Sequence, residues 1–316
     1  MVTKNGKEIM KNSKHYSFVA TFIVFTSLFL AVSILITLPV NAAPWRSKTH
    51  DKYEAYTVEG SILDIKIDGK FNDWDLGILE GPRAVVGTNG KPFKGVKNVT
   101  GQNAPGPEKE FEVWAGGKWN GKKDHETGII FLWEPDAFYI SLIVTDDEHE
   151  NKANDGWNGD STQLAFEMTG KRDGGDGKFY LFNWALPHKS VLCGHNGLAK
   201  GDDCIMEYQQ TPENKKVDLA IMRNKAKGMT YYEARFSADE LGVGVFKAGM
   251  KFGASICVND GDDDTPGQKG WSGWYPHSIV FTKQPEKTGL VVLSEKPYAV
   301  SAKGKLATKW AAVRAK

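Results

Sequence analysis

Apolar residues fall along this chain in short β-branched and aromatic runs, with no helical period between them. The runs are Gly128–Trp133, Phe138–Thr145, Thr162–Met168, Lys178–Leu186, Val217–Met222, Thr230–Phe236, Lys251–Val258, Ser278–Thr282 and Gly289–Leu293. Each is five to nine residues long and bounded by Gly, Asp, Asn or Pro, which is the pattern of strands closed by tight turns. Ser61–Ile67 alternates from Leu63 onward and ends in Asp68-Gly69, which predicts a further strand and turn. Between the runs, Ser237–Leu241 predicts one short helical turn. Parallel α/β folds need crossover helices, which are missing, so the pattern predicts an all-β fold, an antiparallel β-sandwich with jelly-roll or immunoglobulin-like layers.

The remaining segments set the organisation. Residues 1–15 carry Lys4, Lys7, Lys11 and Lys14 against Glu8, residues 18–38 are uncharged, and Pro39-Val40-Asn41-Ala42-Ala43 follows. This is a secretory signal cut after Ala42 or, because the apolar run approaches the ~20 residues that span a bilayer, an uncleaved membrane anchor. Either way the rest of the chain faces an exported compartment: secreted, periplasmic or at the cell surface. Residues 43–60 read as an irregular lead-in and 61–295 as one domain. Residues 81–110, with Pro82, Pro92, Pro105 and Pro107, read as a loop insertion. Residues 296–316 are a basic tail, either a short amphipathic helix (Leu306, Trp310, Val313) or frayed.

Charge narrows the partners. Lys and Arg number 40 against 39 Asp and Glu, so no basic field draws nucleic acid. Without the leader the net charge is −2. Glycine, 34 of 316 residues, exceeds the usual ~7% and suits tight turns. In an oxidising compartment Cys193 and Cys204, 11 residues apart across a Gly/Asp-rich stretch, can close a disulfide loop; the alternative is two separate thiols. Cys257 reads as a buried core thiol.

Ile67-Asp-Gly-Lys-Phe-Asn-Asp-Trp74 resembles the opening of family-9 carbohydrate-binding modules and their DOMON-related kin. Phe138-Tyr-Ile140 leading to Val144-Thr-Asp-Asp147, Gly156-Trp-Asn-Gly-Asp-Ser161, Tyr232-Glu-Ala-Arg-Phe236 and Val258-Asn-Asp260 continue the likeness in order, from about Ile62 to Leu293. The resemblance implies an antiparallel β-sandwich that holds carbohydrate without cutting it, often with structural calcium. It places Trp157 as one wall of an aromatic clamp around a terminal sugar. The second wall corresponds to Phe281 or Thr282, with Trp271 and Trp274 a few residues earlier. Gln163 stands where the family often has an acid, and Tyr180 with Phe182 or Asn183 where it has Arg and Asn.

The residues themselves are compatible. Aromatic rings stack on the C–H faces of sugars, and amides bond the hydroxyls. The candidates are Trp157, Trp271 and Trp274 in Gly-rich loops, with Gln163, Tyr180 and Asn183. Each Trp could instead cap the core. Gly156 and Gly159 would keep the Trp157 loop open, and Asp160 would fix it through backbone N–H groups.

Two acidic turns, Asp146-Asp147-Glu148-His149-Glu150 and Asp260-Gly-Asp262-Asp263-Asp264, suit a hard cation, calcium above all, or are solvated turns. The metal candidates are therefore Asp146, Asp147, Asp260, Asp262 and Asp264. His149, His188 and His195 lack metal spacing and read as local hydrogen-bonding residues. Three functions follow: an exported non-catalytic carbohydrate binder, a glycoside-cleaving enzyme using carboxylates such as Glu167, Glu233 and Asp160, and a haem-binding redox domain using Met168 with His188 or His195. A structural or adhesive surface protein is the remainder. No organic cofactor is expected, and membrane contact only if the leader stays attached.

Overall fold

The longest apolar runs pair with their sequence neighbours. In the computed structural model of this chain, fourteen strands follow in order among the described residues: β1 (Lys52–Thr57), β2 (Asn98–Val99), β3 (Phe111–Val113), β4 (Glu126–Glu134), β5 (Ala137–Thr145), β6 (Ser161–Glu167), β7 (Phe179–Ala185), β8 (Leu192–Gly194), β9 (Ile205–Gln209), β10 (Asp218–Asn224), β11 (Met229–Ser237), β12 (Lys251–Asp260), β13 (Gly270–Trp274) and β14 (Gly289–Pro297). The described residues are 51–61, 63–70, 73–74, 98–99, 111–121, 123–174, 179–194, 203–209, 217–262, 266–280 and 283–298. The leader, the tail from 299, most of the 81–110 insertion, Asp264, His195, Phe281 and Thr282 lie outside them.

The fold is all-β, and no α-helix occurs among the described residues. One run of pairing goes β8-β10-β11-β5-β4-β1-β14-β12, continues to β13-β3-β2, and branches from β12 through β6 and β7 to β9. Most pairs are antiparallel, but β1 runs parallel to both β14 and β4, and β2 parallel to β3. The antiparallel sandwich expected from sequence is thus a mixed sheet that curls over its own core like a half-barrel. Two of the parallel pairs arise because β1 enters between β4 and the C-terminal β14, a non-local contact that short-range turn signals do not encode.

The curl brings β6, β7 and β12 over β4, β5 and β11. Phe166 and Phe236 meet at 5.1 Å and Trp184 stacks on Phe236 at 5.6 Å, joining the two halves. Along β12, Phe252, Ala254, Ile256 and Val258 point into this core. At one end the core closes with buried polar groups: His125 bonds Asp260 at 2.8 Å and the Ser272 hydroxyl at 2.7 Å, and Thr127 meets Ser272 at 2.9 Å. Cys193 and Cys204 are joined in a disulfide, as expected, tying β8 to the entry of β9. Cys257 is a buried free thiol, also as expected, and burial pushes its pKa up.

Several elements differ from the sequence reading. The lead-in contains β1, whose Tyr53 and Ala55 alternate into the core with exposed or half-exposed Lys52 and Glu54. Residues 63–67 form no strand; they lie over the outer face of β4, β5 and β11, where Ile67 and Trp74 pack on Ile130, Leu132 and Tyr139. The strand expected over Ser278–Thr282 does not form in its described residues, Ser278–Val280, where Ser278 ends the 3-10 turn Pro276–Ser278; a strand precedes that turn instead as β13. The expected turn at Ser237–Leu241 forms: the Glu240 carboxylate accepts the Ser237 N–H at 2.6 Å, and the Ser237 hydroxyl accepts the Glu240 N–H at 3.1 Å.

The Asp-Gly…Asp-Trp segment is held by Glu233 of β11. Its carboxylate accepts the Gly69 N–H and, at 3.0 Å, the Trp74 indole N–H. Burial raises its pKa to about 8 against the stabilising effect of both donors, with Asp73 and Asp68 adding repulsion. A raised carboxylate keeps its proton in the folded state after the unfolded chain has lost it. Stability is therefore highest below the unfolded pKa, near 4.3, and falls as pH rises to about 8, by up to ~1.4 kcal/mol per pH unit. Thermal melts between pH 5 and 9 should show this decline, and Glu233→Gln should flatten it. An unchanged slope in the variant would place the titration elsewhere.

Candidate functional site

Strands β6, β7, β12 and β13 turn a second face outward, and the pleat decides what it carries. Residues directly opposite share a face: Asn183 of β7 lies opposite Gln163 of β6, Gln163 opposite Cys257 of β12, and Asn259 of β12 opposite Trp271 of β13. Ala165, Phe179, Leu181, Cys257, Trp271 and Ile279 form a small apolar cluster on this side. Beside it runs an amide network. Gln163 donates to Asn183 at 2.9 Å, Asn259 donates to the Ser161 hydroxyl at 3.0 Å, and Gln268 donates to Asn259.

Over this face opens a cavity of about 410 Å³, lined by Trp114, Trp157, Gln163, Gln268, Trp271, Ile279, Val280 and Lys283. Two of its aromatic walls are unusually open: Trp157 is 43% exposed and Trp114 40% exposed, while Trp271 beneath them is 1% exposed. Trp114 and Trp271 lie 5.9 Å apart with tilted rings. Large apolar side chains left half in water on a concave surface mark a site that awaits apolar contact.

The Trp157 loop is held rigidly. The Asp155 carboxylate accepts the N–H groups of Trp157 at 3.0 Å and Asn158 at 2.6 Å. Asp160, as expected, binds backbone: it accepts the N–H groups of Glu150 and Gly261. Gly156 donates to Glu207 at 3.0 Å and approaches β7 so closely that a Cβ would lie 2.8 Å from the Cβ of Asn183. Gly159, at φ 134°, has backbone that L side chains rarely adopt. These glycines bring the loop down onto the sheet; they do not merely leave it open.

Of the sugar candidates read from sequence, Trp157, Gln163 and Trp271 converge on the cavity, and Asn183 backs Gln163 from the neighbouring strand. Tyr180 and Trp274 do not. Tyr180 stands three residues from Asn183 on one strand, and Trp274 three from Trp271, so each faces the opposite side of the sheet. Both are buried in the core; Trp274 packs against Tyr53 and Phe131 at 5.9 Å each. Trp114, Gln268 and Lys283 were missed, although Trp114 precedes Ala115-Gly116-Gly117, the same aromatic-beside-glycine signal that singled out Trp157.

The acidic turns separate as well. Asp146 is buried against Arg223, at 3.3 Å, and accepts the Glu148 N–H at 2.9 Å. Burial holds its pKa well above the usual range, with Arg223 opposing and Asp260 adding to the rise. Asp146, His149 and Asp160 do bring ligand atoms within 4.8 Å of one another, but the guanidinium already supplies their positive charge. Asp260 is committed to His125 through one oxygen; its other oxygen is buried with no hydrogen-bond partner. Asp147 and Asp262, from the two different turns, meet Asp124, and the three offer oxygens within 4.8 Å of one another. Burial, then the charges of Asp260 and Asp147, raise the Asp124 pKa. An all-oxygen set drawn from three segments fits a hard cation better than the Arg223-paired group.

The residues named for other functions are dispersed. Glu167 accepts N–H groups of its own turn, from Thr169 at 3.0 Å and Arg172 at 3.2 Å, while Glu233 lies on the far side of the core. Met168 follows the end of β6 that pairs with the start of β7, whereas His188 follows the end of β7, so strand geometry separates them by roughly 25–30 Å. His149 bonds the Leu186 carbonyl at 3.1 Å, a local role as expected.

The family model described as "Carbohydrate family 9 binding domain-like" matches residues 102–296. The chain belongs to this family of carbohydrate-binding domains. Among solved structures, a carbohydrate-binding module of family 9 from Caldicellulosiruptor kristjanssonii, in complex with cellotriose, is similar over 79% of this chain and 96% of its own, at 10% identity and a TM-score of 0.49. A structure with the same description and source, in complex with glucose, is similar over 58% of this chain and 88% of its own, at 12% identity and a TM-score of 0.42. No curated protein matches the chain.

The two buried-or-open tryptophans separate experimentally. Trp274→Ala should cost about 3–5 kcal/mol of stability through the cavity it leaves. Trp157→Ala should stay within about 0.5 kcal/mol of the parent in denaturant unfolding. A reversed order would move Trp157 into the core.

Proposed function

We propose that this chain is an exported, non-catalytic carbohydrate-binding protein that holds a sugar between Trp157 and Trp114, above Trp271. The observation that carries this reading is the pair of half-exposed tryptophans flanking one cavity of about 410 Å³, on a fold whose family binds carbohydrate. Both indoles present a face to the C–H surface of a pyranose, and the rigid Asp155–Asp160 loop limits the ordering required on binding. From the floor, Gln163 and Gln268 offer hydroxyls the amide positions that their bonds to Asn183 and Asn259 leave unused. The curled sheet serves as a sandwich-like platform that delivers side chains from alternate faces. The basic apolar leader at 1–42 directs export and is either cleaved or kept as an anchor; the Cys193–Cys204 disulfide supports an oxidising destination.

Calcium is the structural ion of this reading, held by Asp124, Asp147 and Asp262. Bound there it neutralises a cluster drawn from three separate segments and fixes the turn after β5 to the turn after β12. Melts in excess calcium should exceed those in chelator, since an ion that binds only the folded state at 100 times its Kd adds about 2.7 kcal/mol. Asp124→Asn should remove most of that difference; equal midpoints in the parent would rule the ion out.

A glycan array on residues 43–316, followed by calorimetry with the best binder, tests the site. Trp157→Ala and Trp114→Ala should each weaken binding by about 2 kcal/mol, roughly 30-fold, without moving the melting temperature. Unchanged affinity in both variants would place the sugar elsewhere.

A further inference from the structure

The polar groups around the cavity are not equivalent. The Gln163 amide bonds Asn183 and, at 3.4 Å, Asn259; the Gln268 amide bonds Asn259. The acids carried on the neighbouring elements are likewise committed. Glu112 is paired with His277, Asp155 caps the Trp157 turn, and Glu207 accepts the Gly156 N–H. Lys283 is different. Its ammonium lines the cavity, donates to the Ile279 carbonyl at 2.8 Å, and forms no ion pair among the described residues. The side chain is exposed, and the desolvation its ammonium meets beside the cavity lowers its pKa; the one group that raises it is the Cys257 thiol.

A neutral sugar seated between the tryptophans would strip more water from this ammonium and return only hydroxyl contacts. A sugar bearing a negative group would supply the missing counter-charge where water is displaced and the attraction is least screened. We propose that the cavity selects a sugar carrying an anionic substituent, a uronic carboxylate or a sulfate ester, and that Lys283 recognises it. This rests on the cavity being the sugar site, and it adds the class of sugar.

Calorimetry on residues 43–316 with matched pairs tests it: glucose and glucuronic acid, galactose and galacturonic acid, mannose and mannuronic acid, with galactose 6-sulfate as the sulfate arm. In at least one pair the acidic member should bind ten-fold or more tighter. That preference should shrink between 50 and 500 mM NaCl as the charge is screened. Lys283→Gln should reduce it below three-fold, the acidic member losing more affinity than its neutral partner. Stronger binding of galactose 6-sulfate than of galacturonic acid would assign the anion as sulfate, and the reverse as carboxylate. Equal binding within every pair would overturn the anionic assignment and leave the sugar site standing if Trp157→Ala still weakens binding. A preference that survives Lys283→Gln would overturn the role of Lys283. Binding of neither member of any pair, with no hit on the array, would overturn both the site and the inference.

Discussion

Strand β12 imposes the constraint on which the rest depends. It is hydrogen-bonded along one edge to β6 and along the other first to β14 and then to β13. Its pleat sends Phe252, Ala254, Ile256 and Val258 inward, and Cys257 and Asn259 outward. One strand thus orders a packed aromatic core on one side and the floor of the cavity on the other. A one-residue slip would exchange the two faces, placing Asn259 in the core and Val258 under the cavity. Pairing on both edges, with two partners sharing one of them, fixes that register.

The cavity depends on this rigidity. Its floor residues are contributed by strands whose opposite faces carry Leu164, Phe166, Phe182 and Trp274, all buried. Those core contacts hold Gln163 and Trp271 in place without any help from the ligand. The walls come from connections: Trp157 between β5 and β6, Trp114 after β3, and Ile279, Val280 and Lys283 after β13. A packed floor with loop-borne walls lets recognition vary while the fold stays constant, because loop substitutions touch little of the core. The cost of this arrangement is visible in the acids. Asp146, Asp160 and Asp260 crowd the same end of the sheet, and each is stabilised by a guanidinium, an imidazole or backbone N–H groups.

The same end carries the division between structural charge and ligand charge. Arg223 neutralises Asp146 within the fold. Asp124, Asp147 and Asp262 converge from three segments, and the charge of Asp147 adds to the rise in the Asp124 pKa. Across the sheet Lys283 presents the opposite imbalance, a cation without a carboxylate.

The sequence by itself determined the all-β class, most strand positions, the disulfide and the family, because strand-forming runs, turn residues and motif spacing are local. It also marked Trp157, whose loop carries its own glycines and its own Asp155 and Asp160 caps. Tertiary structure decided the rest. Nothing local reveals that β1 inserts in parallel between β14 and β4, since that pairing spans more than 200 residues, as in Lys52 opposite Leu290. Nor could a Gly-rich stretch announce itself as β13; once it is a strand, period two sends Trp271 to the cavity and Trp274 to the core. The same parity separates Asn183 from Tyr180. Which face of each strand lines the cavity and which meets core depends on how the sheet curls, and curl is a property of pairing between distant strands, not of any one run of residues.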